Sequence, residues 1–280
     1  PDRSAPDKSY CKIGAFVSGF EFNPLGYRIP PRVAASMDEV QKWAVDAAHQ
    51  ALVHAGYEDK DFDRSRTAVV IGNAMAGEMQ YITNLRVYFP RYARALAATD
   101  AFRQLSTEVQ QRIMEQFHQQ MTRNLPPITE DSMPGELSNV IAGRVANVFG
   151  LRGPNYTADA ACASSLAALE SALGGLAEQR YDMALTGGVD SSMAPHSFVK
   201  FCKIGALSAD GSFPFDRRAN GFVMGEGCGI MLLKRLEDAE RDGDRILAVI
   251  HGIGSSSDGK GKGITAPNPE GQRLAIERAY

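Results

Sequence analysis

The stretch Thr157-Ala-Asp-Ala-Ala-Cys162-Ala-Ser-Ser-Leu166 decides how this chain is read. Just upstream, Asn155-Tyr-Thr-Ala mixes β-branched, aromatic and small residues as a short strand does. Downstream, Ala163 to Arg180 carries Leu166, Leu169, Leu173 and Leu176 at helical spacing. Cys162 is therefore expected at a strand-to-helix turn. At a helix N-terminus the unpaired N–H groups and the positive end of the macrodipole stabilise an anion such as a thiolate. Ala160, Ala161, Ala163 and Ser164 are small, which leaves room for a carbonyl to approach sulfur while backbone N–H groups meet the developing oxyanion. The competing reading is a buried structural cysteine, which needs only an apolar surrounding.

Outward from this turn, strands and helices alternate. Lys12 to Phe20 reads as a first strand, Asp38 to Ala55 as a helix closing at Gly56, and Thr67 to Gly72 as a buried strand. The composition then turns helical and polar, with Arg86, Arg91, Arg94, Arg103 and a glutamine-rich run. A helical insertion over about 78–135 follows from it, broken at Leu125-Pro-Pro-Ile-Thr. Leu137 to Phe149 predicts a buried helix ending at Gly150. Met183 to Gly188 and Gly229 to Lys234 predict strands, Leu236 to Asp242 a charged helix, and Arg245 to Ile253 a further strand. This order predicts a layered α/β fold with a largely parallel sheet and right-handed crossovers.

The 280 residues, 44% hydrophobic with 27 glycines, suffice for a large core in one domain or two fused halves. A net charge of −3 with dispersed Lys and Arg argues against nucleic acid or an anionic membrane as the main partner. No apolar run is long enough to span a bilayer. Pro1 to Tyr10 lacks the apolar core of a secretory signal, and residues 1–11 read as a linker or terminal edge. Cys11, Cys162, Cys202 and Cys228 are far apart, without metal-ligand spacing, as in a reduced cytoplasmic protein with no structural metal.

Nucleotide motifs fail on detail. Gly254-Ser-Ser-Ser-Asp-Gly-Lys260 resembles a P-loop, but Gly261 stands where a magnesium-binding hydroxyl is needed and Lys262, Gly263 and Pro267 start no helix. Gly225-Glu-Gly-Cys-Gly lacks the third glycine of a dinucleotide fingerprint and precedes a strand instead of following one. There is no G-x-S-x-G elbow. Asn155-Tyr-Thr157 is a glycosylation sequon without a secretory signal to give it effect.

Several blocks around Cys162 carry a resemblance. They are Gly135-Glu-Leu-Ser-Asn139, Ala142-Gly-Arg-Val-Ala-Asn147, Gly153-Pro-Asn155 and Asp159-Ala-Ala-Cys162-Ala-Ser-Ser. Leu185-Thr-Gly-Gly-Val-Asp190, Ala206-Leu-Ser208, Pro214-Phe-Asp216, Gly221-Phe-Val-Met-Gly-Glu-Gly227, Leu233-Lys-Arg-Leu236 and Thr265-Ala-Pro-Asn268 continue it. In order and spacing, from about Lys12 onward, the chain resembles the β-ketoacyl synthases of the thiolase superfamily. Ser255-Ser-Ser-Asp-Gly-Lys-Gly-Lys-Gly with Pro269-Glu-Gly-Gln272 resembles the iterative type I polyketide synthases of polyunsaturated fatty acid and heterocyst-glycolipid type more than ordinary modular polyketide synthases.

The resemblance implies a thiolase-like α/β/α/β/α fold of two related halves, with 12–244 forming the first and 245–280 opening the second. It implies that Cys162 takes an acyl group from an acyl carrier protein, and that decarboxylated malonyl-carrier protein then attacks the thioester. Phe201 corresponds to a gating aromatic beside the sulfur, and Leu137 to a pocket residue that meets the acyl tail near a dimer interface; core packing is the alternative for each. Asp258 corresponds to a family acid, whereas Asp216, Glu226 and Asp258 itself are expected to hold structure. No cofactor is implied beyond the phosphopantetheine of the carrier protein. The implied partners are that carrier protein, adjacent synthase domains and a second copy, with the strand before Cys162 near the two-fold axis.

One departure matters. The family's two catalytic histidines lie in E-A-H-G-T-G-T and K-x-x-x-G-H type segments absent from this sequence, as is the late glycine-rich loop that supplies an oxyanion N–H. His49, His54, His118, His196 and His251 fit neither role. The chain is thus expected to be part of a longer domain. Two other readings stay open: a non-catalytic partner of the chain-length-factor kind, and an unrelated cysteine hydrolase or acyltransferase pairing Cys162 with His196 or His251.

Overall fold

A computed structural model describes residues 5–261 and 263–280. Pro1 to Ser4 of the expected terminal linker and Lys262 of the glycine-rich loop lie outside the described residues. The elements run α1 (Pro31–Ser36), α2 (Glu39–His54), β1 (Thr67–Gly72), α3 (Met79–Val87), α4 (Phe89–Ala97), α5 (Asp100–Arg103), α6 (Thr107–Thr122) and α7 (Ser132–Glu136). They continue with α8 (Asn139–Phe149), β2 (Asn155–Ala158), α9 (Ser164–Ala177), β3 (Met183–Asp190), α10 (Pro195–Ile204), β4 (Gly227–Lys234), α11 (Leu236–Arg241) and α12 (Pro269–Ala279). The fold is α/β, as expected.

The contacts divide the described chain into two interleaved units. One takes the described chain up to Lys42, Ala76–Leu137 and Ser191–Glu226. The other takes Trp43–Met75, Ser138–Asp190 and the described part of Gly227–Tyr280. The expected boundary between 244 and 245 falls inside the second.

The second unit holds a sheet of order β2-β1-β3-β4. β1 pairs in parallel with β2 (Val70 opposite Tyr156) and with β3 (Val70 opposite Thr186), while β4 runs antiparallel to β3 (Thr186 opposite Met231). The sheet is mixed: β4 follows a long excursion and returns along the edge in reverse. All six residues of β1 are buried, as the unbroken apolar run required. α9 lies on β1 and β3 through Ala168, Ala172 and Leu176, packed with Ala68, Val70, Ala184 and Tyr181. The face of α9 turned to the sheet is therefore an alanine stripe, and Leu166 is 62% exposed. Small side chains let the helix axis approach the strands. Burial of Leu176 beyond them contributes about 1.5–3 kcal/mol. The Tyr181 hydroxyl donates to the carbonyls of Ser171 (3.1 Å) and Ala172 (3.2 Å) and closes the end of this layer.

Thr67, Met183 and Lys234 mark one end of the sheet, opposite each other in register. There an alternating chain of ion pairs joins Arg66, Asp182, Arg235, Asp238, Arg241, Asp242, Lys234, Asp244 and Lys60. At the opposite end Gly72, the last residue of β1, lies opposite Gly188 of β3, and this end leads to the site.

Two expected strands differ. Lys12 to Phe20, in the first unit, makes one bridge, Ala15 with Gly225. Beyond it the Val17 N–H donates to the Glu226 carboxylate (2.9 Å), a side chain taking the place of a ladder carbonyl. Arg245 to Ile253 belongs to no sheet among the described residues. Its apolar pattern is that of a strand, but no described strand pairs with it in a ladder. Tyr10 and Cys11, read as terminal linker, are buried in the first unit with Cys202, Leu207 and Met224.

Candidate active site

Asp159 to Ser164 connects β2 to α9 through a single 3₁₀ turn, Ala161–Ala163, so Cys162 sits where the 14-residue helix begins. Ala161, immediately before it, has φ = 50°. A left-handed alanine costs about 1–3 kcal/mol and persists only where its surroundings hold it. They do. The Ala161 N–H donates to the Asp159 carboxylate (2.9 Å), the Ala160 N–H donates to Ser164 Oγ (2.9 Å), and the Ser164 hydroxyl donates to the Ala161 carbonyl (2.6 Å). Ser164 is buried while Cys162 is exposed. One hydroxyl thus grips the chain before the cysteine and turns the thiol outward.

The turn rests on glycines. A Cβ on Gly72 would lie 2.4 Å from the Ser164 carbonyl and the Ser165 nitrogen, and one on Gly188 would lie 2.7 Å from the Ser165 Cβ. Only bare backbone at the carboxyl ends of β1 and β3 lets the first turn of α9 settle there. Asn73, next along from Gly72, ties these ends together. Its N–H donates to the Ala158 carbonyl (3.1 Å), its side-chain amide donates to the Val189 carbonyl (2.9 Å), and its carbonyl oxygen accepts from Ser138 Oγ (2.7 Å). Thr157 Oγ1 donates to the Ser138 carbonyl (2.8 Å), which fixes the start of α8 to the same edge. The result is an exposed thiol on a strained turn at the carboxyl ends of parallel strands, the end of an open α/β sheet where ligands bind.

Phe201 and Leu137 belong to the first unit, Cys162 to the second. Phe201 lies on α10, half-buried against the Tyr10, Cys11, Cys202, Leu207 and Met224 cluster, with its ring edge-on to Phe222 at 5.8 Å. Leu137, just after α7, is 37% exposed. Asp216 clamps Arg218, accepting from its N–H (2.8 Å) and its guanidinium (3.0 and 3.1 Å), and Glu226 holds Val17; both carboxylates secure loops. The Asp258 carbonyl accepts from the Asn268 amide (2.9 Å) ahead of α12. His196 lies against the Tyr81 ring at 4.0 Å, His49 stacks on Phe149, and His118 meets Phe89 edge-on. Ala161, the Ser164 bracket and the Asn73 tie were not read from sequence. Asp159, two residues before Ala161, was the visible signal of an Asx-type turn.

Together the turn and sheet define an α/β protein of thiolase-like architecture with an exposed cysteine at a strand-to-helix turn. The chain belongs to the β-ketoacyl synthase family: the family model "Beta-ketoacyl synthase, N-terminal domain" matches residues 1–239. It is 35% identical over 280 residues to a phenolphthiocerol/phthiocerol polyketide synthase of Mycobacterium tuberculosis, covering 97% of this chain and 15% of that protein. It is 33% identical to a polyunsaturated fatty acid synthase of Thraustochytrium sp., covering all of this chain and 10% of that protein. Among solved structures, the ketosynthase of module 6 of the Bacillus subtilis bacillaene synthase superposes with a TM-score of 0.74 at 31% identity, over 98% of this chain and 40% of that one. The oxazolomycin ketosynthase domain of Streptomyces albus also gives 0.74, at 28% identity, over 99% and 42%. The chain spans about one seventh of the first of these curated relatives and less than half of either ketosynthase structure.

Proposed function

We propose that this chain carries the acyl-accepting half of a β-ketoacyl synthase active site, with Cys162 as nucleophile. The observation that carries this reading is the exposed Cys162 on its braced, left-handed turn above Gly72 and Gly188. The Cys162 thiolate attacks the thioester carbonyl of an acyl group on the phosphopantetheine of a carrier protein. The tetrahedral oxyanion collapses, the pantetheine sulfur leaves and takes up a proton, and an acyl-cysteine remains. Malonyl-carrier protein then loses CO₂, its carbanion attacks the acyl-cysteine carbonyl, and the Cys162 thiolate departs. The product is a 3-oxoacyl-carrier protein two carbons longer. Splitting the reaction at a thioester supports both steps, since a thiolate leaves readily. Polyketide or polyunsaturated fatty acid assembly is the setting suggested by the names of the relatives.

In this reading Phe201 gates the approach to sulfur and Leu137 meets the acyl tail. The presence of Cys162 counts against a chain-length-factor role, whose usual mark is loss of that cysteine. The homodimer and adjacent synthase domains belong to the same proposal. β2 supports the former, being an edge strand with Asn155 and Tyr156 exposed and one side unpaired within this sheet. A cytoplasmic location is supported by free thiols at all four cysteines. No described helix is long and apolar enough to cross a membrane.

Intact-mass measurement on the protein carrying this chain, after incubation with an acyl-carrier protein, tests the proposal. Wild type gains one acyl group, localised to the Cys162 peptide, and Cys162→Ala gains none. A folded wild-type protein that takes up no acyl group would move the assignment to the non-catalytic partner.

A further inference from the structure

The first unit holds a second sulfur in an unusual setting. Cys202, near the end of α10, is 4% exposed, and Cys11 beside it is 3% exposed. Three successive residues converge on the Cys202 sulfur: Ser9 Oγ lies 3.2 Å away, and the backbone N–H groups of Tyr10 and Cys11 donate to it. Ser9 has one hydroxyl proton, and the Cys11 carbonyl, which can only accept, lies 2.7 Å from its oxygen. The Ser9 proton therefore goes to that carbonyl, and the neutral Cys202 S–H donates to Ser9 Oγ. When Cys202 ionises, the Ser9 hydroxyl can turn to face it, and the same three groups form a small anion nest. Burial alone would push this thiol up, but the hydrogen bonds from Ser9, Cys11 and Tyr10, with the nearby Lys203 charge, bring it below the ordinary thiol value.

The segment bearing these donors is a strap. Residues 5–13 form no helix or strand. Besides the Cys202 contacts they are held by Tyr10, whose hydroxyl donates to the Leu207 carbonyl (2.9 Å), and by Lys203, which donates to the Ala5 carbonyl. A segment held by side chains, without a ladder of its own, opens locally without breaking a helix or a sheet. Ser9 Oγ bridges the Cys202 sulfur and the Cys11 carbonyl, and the two cysteines share one buried cluster, which keeps them side by side as a disulfide requires.

We propose that Cys11 and Cys202 form a reversible disulfide that fastens the N-terminal strap to α10, beside Phe201. With the strap open, the Cys202 thiolate attacks one sulfur of a small-molecule disulfide such as oxidised glutathione. A mixed disulfide forms and one glutathione thiolate leaves and is protonated. The Cys11 thiolate then attacks the Cys202 sulfur and expels the second glutathione. The two cysteine thiols are oxidised, one glutathione disulfide is reduced to two thiols, and the two thiol protons pass to them. Cys11 Sγ now points at the Ile13 carbonyl (3.4 Å), so closure requires rotation about its χ1, which the open strap permits.

The test is peptide mapping of the complete protein after oxidised glutathione, trapping free thiols with N-ethylmaleimide. Trypsin releases Cys11 in Ser9–Lys12 and Cys202 in Phe201–Lys203. The expected result is loss of maleimide from both peptides and appearance of their cross-linked pair, which a reductant abolishes. In Cys11→Ser the Phe201–Lys203 peptide should instead retain glutathione. Exposed Cys162 reports that the oxidant was active. Full maleimide labelling of both peptides while Cys162 carries glutathione would overturn the proposal. So would a wild-type Cys202 that keeps glutathione beside a free Cys11. The wild-type map decides the question even if the variant folds poorly, and it is independent of whether Cys162 accepts an acyl group.

Discussion

β1 and the segment Arg245 to Ile253 are close to the same peptide chemically and end in opposite states. Thr67-Ala-Val-Val-Ile-Gly72 is buried throughout, with β2 on one side and β3 on the other. Arg-Ile-Leu-Ala-Val-Ile-His-Gly-Ile, in the same unit, leaves Ile246 42%, Leu247 66%, Val249 43% and Ile250 41% exposed and joins no described sheet. Both carry the β-branched residues that suit a pleated surface. That preference is realised only where neighbouring backbone satisfies the N–H and C=O groups and neighbouring side chains cover the faces. A strand is a relation between segments, and only half of it is written in any one of them.

The largest effect should follow from cutting into the satisfied member of the pair. Ile71→Ala removes a fully buried side chain from the central strand and should cost about 2–5 kcal/mol, read as a fall in the urea midpoint by far-UV circular dichroism. A cost below about 1 kcal/mol would mean that β1 relaxes around the cavity and is not the rigid centre of its unit.

Next comes the junction between β1 and the Cys162 turn. Gly72→Ala puts a methyl group 2.4 Å from the backbone of Ser164 and Ser165, so α9 must move. The strain should cost about 1–3 kcal/mol, and displacement of the Cys162 turn should slow acyl transfer on the order of 100-fold. Loss of stability with acylation unchanged would show that the turn moves as a rigid unit and that β1 supports the fold without positioning the sulfur.

The opposite end of the sheet gives a smaller, pH-dependent effect. Arg66 and Arg235 hold Asp182 well below the usual carboxylate range, and Lys234 with Arg241 hold Asp242 down to about 2. An unfolded carboxyl titrates near 3.9, so between about pH 4 and pH 2 the unfolded chain binds more protons than the folded one. The contribution of Asp242 is complete above about pH 4 and is lost as the pH falls through that window, while that of Asp182 is lost at lower pH still. Asp38, raised by burial against its backbone hydrogen bonds from Met79 and Val40, has the opposite sign. Urea midpoints at about pH 5 and about pH 3 should therefore fall less in Asp242→Asn than in wild type. Solvent around Asp242 keeps the difference small, and added salt should shrink it further. Equal falls in both proteins would remove Asp242 from the acid response.

What the sequence made legible follows the same division. The six-residue apolar run at Thr67, the small-residue turn at Cys162 and the glycine blocks around it are local patterns with local causes, and each is found where it was read. The face of α9 that meets the sheet was not legible, because leucine spacing marks a helix, whereas close approach to a sheet selects alanine. Ala161 at φ = 50° was hidden because no residue type announces a left-handed alanine; its supports are Asp159 and Ser164, on either side of the turn. The burial of Tyr10 and Cys11 depends on Cys202 and Leu207, nearly two hundred residues on, a pairing that no local window contains.

The smallest expected effect bears most directly on the opening contrast. Leu247→Ala removes a side chain that is two-thirds exposed, so in this chain alone it should change stability by no more than about 0.5 kcal/mol. The same substitution in a longer protein containing this chain should cost about 2–5 kcal/mol if another strand covers the segment there. The comparison separates propensity from partnership, because the residue is identical and only its neighbours differ. A large loss in the short chain would show that Leu247 already packs on the second unit. A negligible loss in both would make Arg245 to Ile253 an exposed connector despite its strand-like composition.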